Sequence, residues 1–210
     1  MATGDSALLE LVRAIGTRDP EKATRMLEVS PALASTSVDS GATQGEASTY
    51  YLDDINHYVY EGDTALHIAA AAYEAPLTRR LLKLGADVGA KNRRGAQPLH
   101  YAADGIPGSD AWSPKAQAAV IAALIAAGAD PNAADKSGVT PLHRAVRTRC
   151  TAAVRALLDG GADPKRTNKS GSTPIKLATQ PTGRGGSGST DAKAQQALIV
   201  ELLQDHGATP

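Results

Sequence analysis

Apolar residues recur along the chain at the three- and four-residue spacing of amphipathic helices, in short runs arranged as pairs. One heptapeptide opens four of these pairs: Thr64-Ala-Leu-His-Ile-Ala-Ala, Gln97-Pro-Leu-His-Tyr-Ala-Ala, Thr140-Pro-Leu-His-Arg-Ala-Val and Thr173-Pro-Ile-Lys-Leu-Ala-Thr. Each leads into a second apolar run that closes on Gly-Ala-Asp, from Leu81 to Asp87, Leu124 to Asp130 and Leu157 to Asp163, with Leu202 to Ala208 as a degenerate fourth. Such a unit is a helix, a turn and a helix. The pattern predicts helices at about 65–72 and 77–84, and at 141–147 and 152–158. Thr64, Thr140 and Thr173 stand where a hydroxyl caps a helix, and Pro141 and Pro174 stand where the first turn needs no backbone donor. Upstream, Ala7 to Ile15 and Glu21 to Val29 form a further helix pair, broken at Thr17-Arg-Asp-Pro20.

This heptapeptide with its Gly-Ala-Asp terminus resembles the ankyrin repeat, from about Gly62 to the end of the sequence. The resemblance implies an all-α solenoid of stacked helix-turn-helix units with hairpin-like finger loops, in one domain over 1–210. It divides into a capping helix pair at 5–30, a long first finger at 31–61, and repeats at 62–94, 95–137, 138–170 and 171–210. It also implies that His67, His100 and His143 tie inner helices to neighbouring loops by hydrogen bonds, while Lys176 takes that place in the last repeat, as a terminal cap allows.

The spacing departs from the regular unit of about 33 residues. Thr64 to Gly85 and Thr140 to Gly161 are each 21 positions, but Gln97 to Gly128 is 31 and Thr173 to Gly207 is 34. Repeats two and four therefore carry insertions between inner and outer helix, at 104–112 and 180–189. The first finger is long as well: Ser30 to Gly62 takes 32 positions where Gly85 to Gly95 takes 10. It runs from a Ser/Thr/Gly-rich leader, 35–49, expected to be mobile, into a segment from Tyr50 to Tyr60 that holds four of the six tyrosines and is expected to be ordered.

Composition narrows the function classes. With 42% hydrophobic residues, 3% aromatic and no Phe, the core is built from Ala, Leu, Ile and Val, which suits thin stacked helix pairs and not a large enclosed cavity. The single Cys150 excludes an internal disulfide, no signal segment opens the sequence, and no run approaches the ~18 apolar residues of a membrane span. The expectation is a cytoplasmic monomer. The net charge of zero conceals a polarity, because residues 1–63 carry four basic against eleven acidic residues, whereas 136–184 carry ten basic against two acidic.

On the ankyrin pattern the variable groove positions flank the finger glycine and follow the Ala-Ala of the inner helix. They include Lys91, Arg93, Arg94, Lys136 and Lys169 on the fingers, and Ala71, Ala72, Asp104, Gly105, Arg147, Thr148, Gln180 and Pro181 on the helices. A cationic groove follows, with Asp104 its acidic exception. The two insertions share one edge and could meet over repeat three, bringing Trp112, Arg147, Arg149 and Arg184 into a recess, with Gly183 to Gly188 as a backbone nest for an anion. Catalytic and metal signatures are poor: Asp53 and His57, four apart, do not make a metal site, and no cofactor is implied. Nucleic acid is disfavoured for want of interleaved aromatics. The expected function is a non-enzymatic interaction module that recognises an acidic segment of a protein partner, with Tyr51, His57 and Tyr58 of the first finger as a hot-spot surface. The alternative is a protein for a small anionic ligand, or an enzyme acting on one, with Arg147, Arg149 and Arg184 as anion clamp and His57 or Asp104 as acid/base.

Overall fold

The computed structural model describes residues 3–43, 45–107, 112–180 and 190–209. Among them lie five helix pairs: α1 (Thr3–Gly16) with α2 (Pro20–Val29), α3 (Ala65–Ala71) with α4 (Ala75–Lys83), α5 (Pro98–Ala103) with α6 (Pro114–Ala126), α7 (Pro141–Arg147) with α8 (Thr151–Asp159), and α9 (Pro174–Thr179) with α10 (Thr190–Asp205). The inner helices pack in the order α1, α3, α5, α7, α9, and the outer helices α4, α6, α8, α10 pack behind them. The result is an all-α solenoid with one continuous apolar core, rich in alanine where helix meets helix. No helix of the described residues is long and apolar enough to cross a membrane.

Local chemistry explains the repeated motif. At the start of α7 the Thr140 hydroxyl accepts from the His143 backbone N–H, while His143 Nδ1 accepts from the Thr140 backbone N–H at 3.2 Å, a capping box with histidine in the place usual for Glu. The far side of each ring then tethers the next loop: His67 Nε2 lies 3.1 Å from the Ala96 carbonyl, His100 Nε2 3.0 Å from that of Val139, and His143 Nε2 3.0 Å from that of Ser172. With Nδ1 accepting, Nε2 is the donor. Replacing His143 by Ala leaves the Thr140 N–H without its partner and takes from the Ser172 carbonyl one of two donors, the Asn168 N–H remaining, and is expected to cost about 1–3 kcal/mol. Thermal unfolding measures this, and an unchanged midpoint would remove the tether from the account.

The Gly-Ala-Asp closure is equally local. Gly85 adopts φ 90° just past α4, so its N–H reaches the Leu82 carbonyl and that of Ala86 reaches Leu81, the paired bonds of a Schellman cap. Ala86 turns inward, and Asp87 Oδ1 accepts the Gly89 N–H at 2.8 Å, starting the finger. At each finger base an amide or carboxyl oxygen takes two further N–H groups: Asn92 Oδ1 from Arg94 and Ala96, Asp135 Oδ1 from Ser137 and Val139, Asn168 Oδ1 from Ser170 and Ser172.

The turns inside the pairs come in two kinds. In the tight ones a left-handed residue, Arg18, Tyr73 or Arg149, lets the next N–H return to the carbonyl of Ala14, Ala69 or Ala145. In the two repeats with insertions a glutamine of the outer helix serves the equivalent carbonyl: Gln117 Nε2 donates to the Ala102 carbonyl at 2.9 Å, and Gln196 Nε2 to that of Ala178 at 2.6 Å. The scaffold therefore absorbs an insertion without leaving the inner-helix end unsatisfied. Gly105 allows the chain to pass close by, since a Cβ there would sit 2.2 Å from Cys150 Sγ. Burial pushes the Cys150 thiol up to about 11, in keeping with an inert core residue.

The first finger departs from expectation in its leader, which is tied down on both sides. The Val38 N–H donates to the Asp63 carbonyl and the Gly62 N–H to that of Val38, each at 2.8 Å, and Ala42 pairs with Val59. Val38 and Ala42 within it are buried, as are Leu33 and Ala34 just before it. These apolar residues, sparse among Ser, Thr and Gly, supply the burial that offsets ordering. Beyond them, β1 (Tyr51–Leu52) and β2 (His57–Tyr58) form a small antiparallel hairpin, with Tyr51 opposite Tyr58 and Leu52 opposite His57. The hairpin lies on the inner-helix layer, with Leu52 packed against Gly16 at the end of α1 and the His57 ring on Tyr101 of α5.

Candidate functional site

In the heptapeptide Thr-Pro-Leu-His-x-Ala-Ala, the free slot x holds Ile68, Tyr101, Arg144 and Leu177. In the two middle repeats this slot supplies the floor of a pocket of about 280 Å³. The hairpin closes one side with His57 and Tyr60, the second finger contributes Asn92, Arg94 and Ala96, and the third contributes Asp135, Ser137 and Val139. Asp104 and Arg147, at the ends of α5 and α7, complete it. The long first finger thus turns an open groove into a pocket.

The floor rests on a buried polar network. Asp63, fully buried, accepts from the Tyr60 backbone N–H at 2.7 Å, from Asn92 Nδ2 at 2.9 Å and from the Tyr101 hydroxyl at 2.8 Å to each oxygen. His67 Nε2 lies 3.9 Å from Asp63, but the ring is neutral, because burial pushes its pKa down more strongly than Asp63 lifts it. Burial, with Asp63 beside it, holds the Tyr101 phenol well above its usual range, so the hydroxyl stays a donor.

Ionic contacts organise the rim. Arg144 donates from Nη1 to Asp104 at 2.8 Å and from Nη2 to Asp135 at 3.3 Å, while Arg147 Nη2 lies 3.6 Å from the other Asp104 oxygen. Burial by itself lowers the Arg144 pKa, but Asp104 and Asp135 outweigh it and raise the value. For Asp135 too burial opposes charge, and the Ser137 and Val139 N–H groups with Arg144 overcome it, leaving the carboxyl below its ordinary value. Arg94 donates to the Tyr60 hydroxyl at 3.0 Å and stands 5.1 Å over its ring, with Arg93 at 5.4 Å from the same ring. Burial lowers the His57 pKa against the pull of Asp104 and Asp63, and its Nε2 is sealed from solvent without a partner.

Of the residues expected at a site, the structure gathers His57, Arg94, Asp104 and Arg147 around this pocket. Arg93 is spent on the first finger, donating to the Ala42 carbonyl. Lys91, Lys136 and Lys169 are exposed on finger tips. Tyr51 and Tyr58 stack on each other at 4.7 Å on the hairpin, Tyr58 being 39% exposed. The expected recess takes a different form: Trp112 bonds Gln117 and joins Tyr73, Ile106 and the hairpin tip, including Asp53, at a separate pocket of about 90 Å³. Arg149 is buried in its turn, away from Arg147's pocket. Pro181, Arg184 and the glycine nest at 183–188 lie outside the described residues.

Arg144, Tyr101, Asp135 and Asp63 were missed. The first two occupy the one slot of the heptapeptide that the motif leaves free, a signal present in the sequence, and Asp135 stands where the other fingers have Asn92 and Asn168. The groove is accordingly less cationic than expected, since Asp135 joins Asp104 against Arg144.

A family model described as ankyrin repeats, many copies, matches residues 51–102 and 124–178. No curated protein matches the chain. With about half of the sequence matched and the paired helices stacked as described, the chain belongs to the ankyrin-repeat family.

Proposed function

We propose that this chain is a non-enzymatic interaction module, a cytoplasmic monomer of four repeats with an N-terminal helix pair, that grips an acidic segment of a protein partner in the pocket between the first finger and repeats two and three. Ankyrin repeats indicate a protein-interaction module. The observation that carries the finer reading is the placing of Arg94 and Arg147 at the rim of a pocket that exists only because the first finger is long. Tyr58, exposed beside it, and Tyr51 add the aromatic area in which binding energy concentrates.

Selection of a random displayed-peptide library on the folded protein tests this. Recovered peptides should share Asp or Glu, and R94E or R147E should weaken them about tenfold or more, with added salt weakening the wild-type complex as well. Peptides lacking acids, or equal binding to variants with normal melting temperatures, would refute the reading.

A further inference from the structure

The charges that line the pocket are of both signs: Arg94, Arg144 and Arg147 stand with Asp104 and Asp135. Solvent reaches them unequally. The Arg144 and Asp135 side chains are only 13% and 11% exposed and hold each other at 3.3 Å, so they belong to the wall. Arg147 is 43% exposed and Asp104 28%, and Arg94 is exposed on its finger. A ligand therefore meets two cations and one carboxylate. Their places are fixed, Arg94 on the first-finger side by the Tyr60 hydroxyl at 3.0 Å, and Asp104 on the helix side by Arg144 Nη1 at 2.8 Å. Between them Arg147 Nη2 stands 3.6 Å from Asp104 Oδ1, longer than a hydrogen bond, so this pair opens readily toward a ligand.

Resting on the reading above, we infer that the pocket selects a mixed-charge segment, in which a Lys or Arg beside the essential acid pairs with Asp104 while the acid pairs with Arg94 and Arg147. An incoming carboxylate draws Arg147 off Asp104 and leaves Asp104 with Arg144 alone, a cation that Asp135 already shares. A basic side chain from the partner restores the balance. A second acid does the reverse, because it stands against Asp104, and like charges brought together across an interface oppose binding. Asp104 is then a specificity-determining residue. A purely cationic groove orders the same ligands the other way, binding more tightly with each added acid. Asp63 takes no part in this choice, because its oxygens are satisfied beneath Tyr101 and it has no exposed surface.

The experiment uses the full chain and one library-derived peptide with a single essential Glu, into whose flanking positions Lys, Gln or Glu is placed in turn, titrated by fluorescence anisotropy at fixed ionic strength. At the most responsive position the Lys peptide should bind about three- to tenfold more tightly than the Gln peptide, as a partly exposed ion pair allows, and the second Glu should bind more weakly than both. D104N should erase this ranking, with the Gln and Glu peptides gaining affinity as a negative charge is removed. In the wild-type complex, proton NMR should show contacts between the Lys side chain and the Asp104 β protons, a readout that survives if D104N folds poorly. Equal binding of the three peptides, tighter binding of the doubly acidic one, or a Lys preference undiminished in folded D104N would overturn this inference alone, provided that R94E and R147E still weaken binding. Failure of every acidic peptide to bind the wild type would overturn the site assignment with it.

Discussion

Replacing Asp63 by Ala is expected to cost about 3–5 kcal/mol and to lower the melting temperature by roughly 10–15 °C. Asp63 sits under the pocket with no exposed surface, and three donors converge on it: the Tyr60 N–H, Asn92 Nδ2 and the Tyr101 hydroxyl. Removing the acceptor strands all three in the core. Asn92 Nδ2 also lies 2.8 Å from the Tyr101 oxygen, so part of the loss is recovered, and the sum of three separate penalties would overstate it. Y101F removes a single donor and should cost about 1–2 kcal/mol. The double variant should be little worse than D63A alone, because the two side chains serve one network. D63N is the sharper probe, since it keeps the volume but points an NH2 group at existing donors. Because Tyr101 carries His57, D63A should also weaken acidic-peptide binding. A melting temperature within about 2 °C of wild type would mean that water replaces the carboxyl and that the floor is not held as described.

The scaffold was legible because its residues answer local needs. A threonine hydroxyl, a first-turn proline, a bridging histidine and a left-handed glycine each act within a few positions of themselves, so they recur in the sequence wherever the unit recurs. The site was legible only at its rim. Arg94 and Arg147 stand at positions that the pattern of the repeat exposes, but the pocket around them depends on a hairpin that crosses from the first finger to α5, a contact that no periodicity encodes. The same holds for Asp63. In its three counterparts the position is Ala96, Val139 and Ser172, and nothing nearby in the sequence says that a carboxyl there will meet Tyr101 38 positions later. The leader is tied down for a related reason: its polar composition hides two buried apolar residues, Val38 and Ala42, and their burial depends on the segment they pair with and not on any local period.

Acid should unfold this protein well above the range in which carboxyl groups usually protonate. Four histidines, His57, His67, His100 and His143, are all held below the ordinary imidazole value, burial being the largest cause in each case. His100 is the clearest, lowered to about 4 by burial and by Arg144, with the Val139 carbonyl and nearby carboxylates pulling the other way. In the unfolded chain the same ring protonates near pH 6.5. Between those values the unfolded state binds the extra proton, so stability declines as pH falls from about 6.5 to about 4 and then levels for this group. The slope is at most about 1.4 kcal/mol per pH unit per histidine, and His100 alone accounts for about 3 kcal/mol over its window. His57, His67 and His143 act in the same direction and steepen the fall. Their protonation also breaks structure, because Nδ1 of His67, His100 and His143 accepts the backbone N–H of a helix cap and loses that capacity when charged. Melting temperatures between pH 7.5 and 4 should therefore drop steeply below pH 6.5. H100Q, although less stable at neutral pH, should show a shallower dependence by up to one proton. A melting temperature that is flat from pH 7 to 5 would show that these imidazoles ionise in place without cost, and the capping histidines would then be more open to water than their burial indicates.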